Sequence, residues 1–333
     1  MRLGIVFVFI GCAAVLLAQA PPPVILEVDI ENYVFYYLDV VDPAKLATSA
    51  APVLAAPGRV FRWQVSIADV TAVNGRPAKG LYAGRSMPLQ STTRPTPGQA
   101  IADIGSFGLN DAHLVILQPD GTEIGSLFGL GVGGTTAPPG APKGAAVHNM
   151  AVAGGTGAFL GARGQWAYKQ ALGGTTRSVS MVEDPSNRRV HGGSHRRDII
   201  HLIPASWPEV TNLATGPAIY HAEDFSLVGS QKPARAGEQL IISVSGLGPT
   251  RPGSDIGKPF PPYGDGTKYE VSSPVEVTVN GQQARVVNKI GWPEATNMYR
   301  VDFVVPDGTA PGMASIGVSV AWINGPEVKI PVR

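Results

Sequence analysis

Glycine and proline interrupt this sequence so often that long helices are disfavoured. The 333 residues include 41 glycines and 30 prolines, about a fifth of the chain, where roughly 12% is usual. Short apolar runs lie between these breakers, and they show little helical periodicity. This pattern favours an all-β protein. Hydrophobic residues make up 44% of the chain, so the sequence predicts a substantial core rather than disorder.

The overall charge argues against nucleic acid as a partner. The formal net charge is +1, and charged residues are only 15% of the chain, below the usual share of about 25%. Broad electrostatic binding of nucleic acid needs a strongly basic surface. We therefore expect no nucleic-acid partner.

Residues 1–20 have the features of a secretory signal peptide. Arg2 supplies the positive start, "LGIVFVFIGCAAVLLA" is the apolar stretch, and "LLAQA" ends it with small residues. Cleavage after Ala18 or Ala20 fits, with Pro21 disfavouring the second site. The apolar stretch is short for a membrane span, so we expect an exported bacterial protein, extracellular, surface-attached or periplasmic, with no span after cleavage.

Cys12 is the only cysteine and lies within this segment. The mature chain would hold no thiol, which excludes disulfides, thiol catalysis and thiolate metal sites. We predict no cofactor and no metal.

Turn signals divide the rest of the chain into three parts. Residues 21–59 are predicted to be an N-terminal strand with a linker, residues 60–204 a first β-domain, and residues 207–333 a β-sandwich. Hairpin turns are predicted at Pro119-Asp120-Gly121, at Asn280-Gly281 and at Asn324-Gly325.

The stretch "HNMAVAGGTGAFLGARGQWAY", residues 148–168, contains glycines where several functions would need them. It is one residue too long for a dinucleotide-binding loop, no amphipathic helix follows, and no serine stands between the glycines. We interpret it as a corner between strands, with Phe159 in the core. The structural turn residues are Gly154, Gly155, Gly157, Gly161 and Gly164.

Part of this stretch also carries a family resemblance. "MAVAGGTGAFLGARG" resembles the "VGGTGxFxxARG" signature of plant dirigent proteins, which share an eight-stranded barrel with allene oxide cyclases. "NGRPAKGLYAG" and "IGSLFGLGVGG" are similar to two weaker family stretches, "GRAQGxY" and "NGSTLxVxGRN", in the same order. The resemblance covers roughly residues 60–204. It implies an up-and-down antiparallel barrel whose lumen holds one small, largely apolar ligand.

The resemblance also implies a class of chemistry. Dirigent proteins need no cofactor and guide the coupling of phenoxy radicals, and relatives cyclise quinone methides with acidic side chains in the lumen. Those relatives carry an Asp-Asp pair where this chain has Ala68-Asp69, and Arg-Glu where it has His148-Asn149. We therefore consider isomerase, cyclase or coupling-guide activity as one alternative.

Candidate site residues follow from these positions. Asp69 with Tyr82 is a candidate proton-transfer pair, and His201 is a candidate acid or base or else a core histidine. Arg163 is a candidate partner for an acidic ligand group, or a structural donor at the barrel rim. Further ligand-binding candidates are His148, Trp166 and Tyr168.

A basic cluster in "NRRVHGGSHRRDIIH" allows three interpretations: an anion clamp, a metal site using His191 and His195, or a solvated hairpin tip turning at Gly192-Gly193. Four arginines would repel a cation, and such clusters are usually solvated. We predict an exposed basic tip.

The C-terminal part contains the stretches "GEQLIISVSGLG", "VTVNGQQARVV" and "VDFVVPDGTAPGMASIGV". They resemble an uncharacterised immunoglobulin-like module of exported proteins from soil bacteria, especially acidobacteria, and this resemblance implies display or attachment of another domain. We expect the barrel to bind a small apolar or aromatic molecule and the module to meet a cell-surface or protein partner. A purely structural surface protein is the other alternative.

Overall fold

The computed structural model describes residues 23–39, 62–90, 106–134 and 149–333, apart from residues 256, 263 and 265. The signal segment therefore lies outside the described residues. The described chain is all-β, as the sequence predicts, with a single short helix among its named elements. Within these ranges, no helix combines the length and the apolar character that a membrane crossing requires.

The first part of the chain is a closed antiparallel barrel of eight strands. Its elements are β1 (Val24–Asp39), β2 (Arg62–Val73), β3 (Arg76–Gln90), β4 (Ser106–Leu117), β5 (Glu123–Gly134), β6 (Asn149–Gly157), β7 (Arg163–Gly173), β8 (Arg177–Ser180), α1 (Asn187–His191) and β9 (Ser194–Ile203). Each strand pairs with its neighbours in sequence from β2 to β7, then β7 pairs with β9, β9 with β1, and β1 with β2.

The eighth barrel strand comes from residues 21–59, which were predicted to precede the barrel. β1 pairs with β2 along one edge and with β9 along the other, so the chain before residue 60 closes the cylinder. Its 16 residues alternate apolar and polar in the first half, which is the pattern of a half-buried strand. A barrel confined to residues 60–204 would be one strand short.

A bulge divides β1 into two halves with different neighbours. The pairing shifts between Glu31 and Val34, and Asn32 has a positive φ of 54°. Before the bulge β1 pairs with β9, and after it with the short parallel strand β8. Val34, Tyr36 and Val179 form a small apolar cluster here, separate from the lumen cluster. The chain between β7 and β9 is thus packed onto β1.

Residues 209–332 form a second, curled sheet of eleven strands in the described chain, with a separate two-stranded ribbon. Its immunoglobulin-like topology remains a prediction. The elements are β10 (Glu209–Val210), β11 (Asn212–Leu213), β12 (Gly216–Pro217), β13 (Ile219–His221), β14 (Gln239–Ser245), β15 (Thr250–Arg251), β16 (Glu270–Val271), β17 (Val275–Val279), β18 (Gln282–Gly291), β19 (Met298–Val304), β20 (Gly312–Val320), β21 (Ile323–Asn324) and β22 (Val328–Val332).

Two of the three predicted hairpin turns are confirmed. Residues 119–121 turn between β4 and β5, where the Gly121 N–H donates to the Gln118 carbonyl at 2.9 Å. Asn280 and Gly281 turn between β17 and β18 with φ values of 49° and 78°, as a type I′ turn requires.

The third predicted turn, Asn324-Gly325, is wrong. The turn lies at Ala321 and Trp322, with φ values of 47° and 67°, although neither residue favours this left-handed region. Tertiary packing decides the position, because Ala321 and Ile323 are each 1% exposed and belong to the apolar cluster of the barrel. Burying this hairpin against the barrel offsets a local strain of about 1–3 kcal/mol per residue.

The glycine-rich corner is confirmed in part. β6 runs through Gly154 and Gly155, and the chain turns only after Gly157, whose φ is 61°. Phe159 enters the core at 1% exposure. Gly164 allows β7 to lie close to β9, because a Cβ there would be 1.9 Å from the His201 carbonyl oxygen.

This geometry predicts different effects on stability for substitutions at two of the predicted turn glycines. We expect Gly164→Ala to lower the free energy of unfolding by about 3 kcal/mol, since its φ is +147° and its Cβ would meet backbone. Gly154→Ala should change stability by less than about 1 kcal/mol, since nothing lies within 4 Å of its Cβ. Urea unfolding followed by far-ultraviolet circular dichroism measures both. Equal losses would contradict the assignment.

Candidate functional site

The barrel interior changes character along its axis. At the end where β9 and β4 finish, the lumen is filled with fully buried apolar side chains, and Ala321 and Ile323 of the second domain cover it. The filling residues include Leu26, Val28, Ile116, Val152, Phe159 and Leu202. This end of the lumen is therefore closed by packing.

Towards the opposite end, three aromatic rings lie within the lumen. The Tyr82 ring meets the Trp166 ring edge to face, with centroids 6.0 Å apart, and lies 5.6 Å from the Tyr33 ring. All three side chains are buried: Trp166 is fully covered, and Tyr82 and Tyr33 are 5% and 6% exposed. Such pairs are stabilising beyond the area they bury.

A buried ion pair lies among these rings. The Arg196 Nε atom is 3.0 Å from Asp198 Oδ1, and Arg196 Nη2 donates to Oδ2 at 3.0 Å. Asp198 is 1% exposed, and the indole N–H of Trp166 also donates to its Oδ2 at 2.9 Å. The guanidinium carbon lies 4.1 Å and 4.6 Å from the ring centroids of Tyr33 and Tyr82. The charge is therefore paired, hydrogen-bonded and held between aromatic faces.

Burial acts in opposite directions on the pKa of a tyrosine hydroxyl and on that of an arginine. It raises the pKa of the Tyr33 hydroxyl above its ordinary value, and the negative charge that Tyr82 would carry on ionisation raises it further, so Tyr33 is a neutral phenol at physiological pH. Burial alone would lower the pKa of Arg196, but Asp198, Tyr82 and Tyr33 together outweigh it and the pKa is raised. The cluster thus offers a permanent cation, a carboxylate and a phenol in a low-dielectric space.

Glycines on neighbouring strands make room for the rings. A Cβ on Gly129 would be 2.9 Å from the Trp166 ring, and one on Gly84 would be 2.8 Å from the Tyr82 hydroxyl. Both glycines are buried in the strands that face the cluster. Larger residues there would displace the aromatic rings.

One layer further out, the inward-facing residues are half-buried rather than buried. They form one register layer, which we call the rim layer: Tyr37, Gln64, Ser86, Asn110 and Gly131 are paired in that order across β1 to β5. Phe35 lies between this layer and Tyr33, with ring centroids 5.0 Å apart. The lining therefore passes from polar to aromatic to apolar along the axis.

The structure brings together two of the sequence-predicted site residues and separates the others. Tyr82 and Trp166 meet in the lumen. His201 is exposed, because the buried residues of β9 alternate with it, so its predicted position in the lumen or core is wrong. Arg163 is also exposed, at the start of β7. His148 lies outside the described residues, as does the side chain of Tyr168, whose backbone pairs with Asp198.

Asp69 faces away from Tyr82, so the predicted proton-transfer pair does not form. Its strand partner is Leu81, which is 40% exposed, whereas Tyr82 pairs with the buried Ala68. Asp69 instead accepts hydrogen bonds from Arg188 at 2.6 Å, from Arg189 at 2.7 and 3.0 Å, and from Asn32 at 3.1 Å. It anchors α1 to the outside of the barrel.

In the same region the predicted exposed basic tip is only partly right, since Arg189 and His191 are exposed. Residues 187–191 form α1, and Arg188 is only 6% exposed because it binds Asp69. Arg196 turns into the lumen, while Arg197 binds Asp29 on the outer face at 2.6 Å. Charge clustering in the sequence did not distinguish these positions, but strand alternation would have separated Arg196 and Asp198 from Arg197.

Comparison with known proteins returns no match: no protein family fits the chain, and neither a characterised protein nor a solved structure resembles it significantly.

The Asp69 anchor gives a testable effect on stability. Burial alone would raise the pKa of Asp69, but hydrogen bonds from Arg189, Arg188 and Asn32 outweigh it and lower the pKa below its ordinary 3.8. We expect Asp69→Asn to cost about 2 kcal/mol at pH 7, less than the 3–5 of a fully buried pair, because Asp69 keeps some solvent contact.

The pH dependence of this stability loss tests whether the ionised Asp69 carboxylate causes it. A carboxyl whose folded-state pKa is lowered stabilises above its unfolded-state pKa and loses this contribution as the pH falls through the folded-state value. The difference between wild type and Asp69→Asn should therefore shrink below pH 3.8. Urea unfolding at a series of pH values measures it, with Asp111→Asn, at a more exposed ion pair, as control. A constant difference would contradict the assignment.

Proposed function

We propose that the barrel binds one small aromatic or apolar molecule at its rim-layer end, and that the protein is exported by a bacterium, with the second domain serving for display or attachment. The observation that carries the binding proposal is the graded lining. The lumen is filled at one end, but at the other it leads from half-buried polar groups to a cluster of aromatic rings.

The chemistry of the lining fits such a ligand. Phe35, Tyr37 and the ring cluster provide aromatic faces for stacking, and the amide and hydroxyl groups of the rim layer can orient a polar substituent. The resemblance to dirigent proteins and allene oxide cyclases supports the same use of the lumen, since those barrels hold small, largely apolar molecules.

A second candidate function is isomerase, cyclase or coupling-guide activity in the same lumen. The observation that favours it is the Arg196–Asp198 pair beneath the rim layer, since a buried cation beside phenols can stabilise negative charge on a reacting oxygen. Asp69 and His201 lie outside the lumen and have no part in this proposal. Arg196, Asp198 and Tyr82 take their place as candidates.

Ligand retention tests the binding proposal directly. We expect native mass spectrometry of the signal-free protein from its natural host to show one small-molecule adduct. A panel of phenolics and fatty acids should contain at least one compound that raises Tm. Ser86→Leu should abolish both effects, because it places a bulky apolar side chain in the rim layer.

The matched control is Arg85→Leu, the same new side chain on the next residue of β3 but on the outer face, where Arg85 is mostly exposed. It should retain the adduct and the Tm shift. If wild type shows neither an adduct nor any Tm shift, both lumen functions fail and the barrel is a structural module. If Ser86→Leu retains the ligand, binding occurs elsewhere.

A further inference from the structure

The second domain contains a cleft where one strand changes its partner. β18 pairs with β17 only from Gln282 to Ala284, then follows β19 past a bulge between Val286 and Asn288. It meets β16 at Ile290. Among the described residues, no strand pairs with the β17-facing edge of β18 between these two contacts.

This gap opens a cleft of about 490 Å³, bounded by β16, β17 and the far half of β18. Its volume lies within the range of roughly 300–1,000 Å³ that is typical of binding pockets. The unpaired edge between Ala284 and Ile290 is long enough, at about 3.3 Å per residue, for four or five residues of an extended chain. Backbone N–H and C=O groups alternate in direction along an antiparallel strand. Those of Val286 therefore point to the same side as those of Ala284, which is the side of the cleft.

The charge in the cleft determines which kind of partner segment it favours. Two lysines and one carboxylate line it, Lys268, Lys289 and Glu270, so positive charge is in excess. The Lys289 side chain is only 19% exposed. The Lys289 ammonium donates to the Ser273 carbonyl at 2.9 Å, and the nearest Glu270 oxygen is 4.0 Å away, beyond hydrogen-bond distance. An ammonium has three N–H donors, so Lys289 can donate to an anionic partner and keep its hydrogen bond to Ser273.

Burial also lowers the pKa of Lys289, against the raising effects of Glu270 and Asp120. A bound carboxylate would favour the charged form of this lysine and strengthen the contact. A neutral or basic chain would gain nothing from it.

We propose that this cleft binds an extended acidic segment of a partner protein, which adds a short strand to the free edge of β18 and places a carboxylate against Lys289. Strand addition provides affinity through backbone hydrogen bonds, and the lysine provides selectivity. This site is independent of the barrel lumen, so it agrees with a display or attachment module whether or not the barrel binds a ligand.

The peptide acetyl-Val-Glu-Val-Glu-Val-amide, labelled with a fluorophore, tests the proposal by fluorescence anisotropy on the full signal-free chain. We expect saturable binding that weakens about tenfold in Lys289→Gln and is restored in Lys289→Arg. The Gln analogue of the peptide should bind about tenfold more weakly to wild type. Hydrogen exchange at Val286 and Val287 should slow when the acidic peptide binds.

The matched control is Lys258→Gln, which removes an exposed, ion-paired lysine of the same domain and should leave binding unchanged. Thermal melting of each variant shows that it is folded. The proposal is overturned if the acidic peptide does not bind, if the Gln analogue binds equally well, or if Lys258→Gln weakens binding as much as Lys289→Gln. These outcomes are separate from ligand retention in the barrel.

Discussion

Pairing along both edges of β1 is the constraint on which the barrel depends. A barrel has no free edges only if its last strand finds two neighbours, and β1 provides them through β2 and β9. Beyond the bulge at Asn32, where the pairing with β9 ends, the same strand pairs with β8. Closure also fixes the direction of each lumen side chain, because a one-residue slip would turn every residue to the other face.

The interior that results is built in layers with different physical roles. Apolar packing fills one end, where the loss of any large side chain would leave a cavity. The aromatic layer encloses the Arg196–Asp198 pair: Trp166 donates a hydrogen bond to Asp198, and the rings of Tyr33 and Tyr82 flank Arg196. A buried pair of this kind is weak support for stability but strongly penalises any rearrangement that separates the charges. We infer that it fixes the shape of the lumen around it.

The second domain takes part in this arrangement instead of lying apart. Its Ala321-Trp322 turn adopts left-handed backbone angles that neither residue prefers, and its burial at the filled end of the barrel accounts for that choice. Gln118 also donates a hydrogen bond to the Ser272 carbonyl, and Arg76 pairs with Glu276. Hairpin chemistry alone favoured Asn324-Gly325, so local preference was overruled by tertiary contact.

The sequence by itself determined the all-β class, two of the three hairpins noted in it, and the corner around Phe159, because turn residues and alternation are local signals. It also brought Tyr82 and Trp166 forward as candidates. Only the tertiary structure decided that β1 closes the barrel, that Arg196 and Asp198 lie inside, and that Asp69 and His201 lie outside. The physical reason is that side-chain direction depends on register, and register in a barrel is set by strands more than a hundred residues apart, as β1 and β9 are.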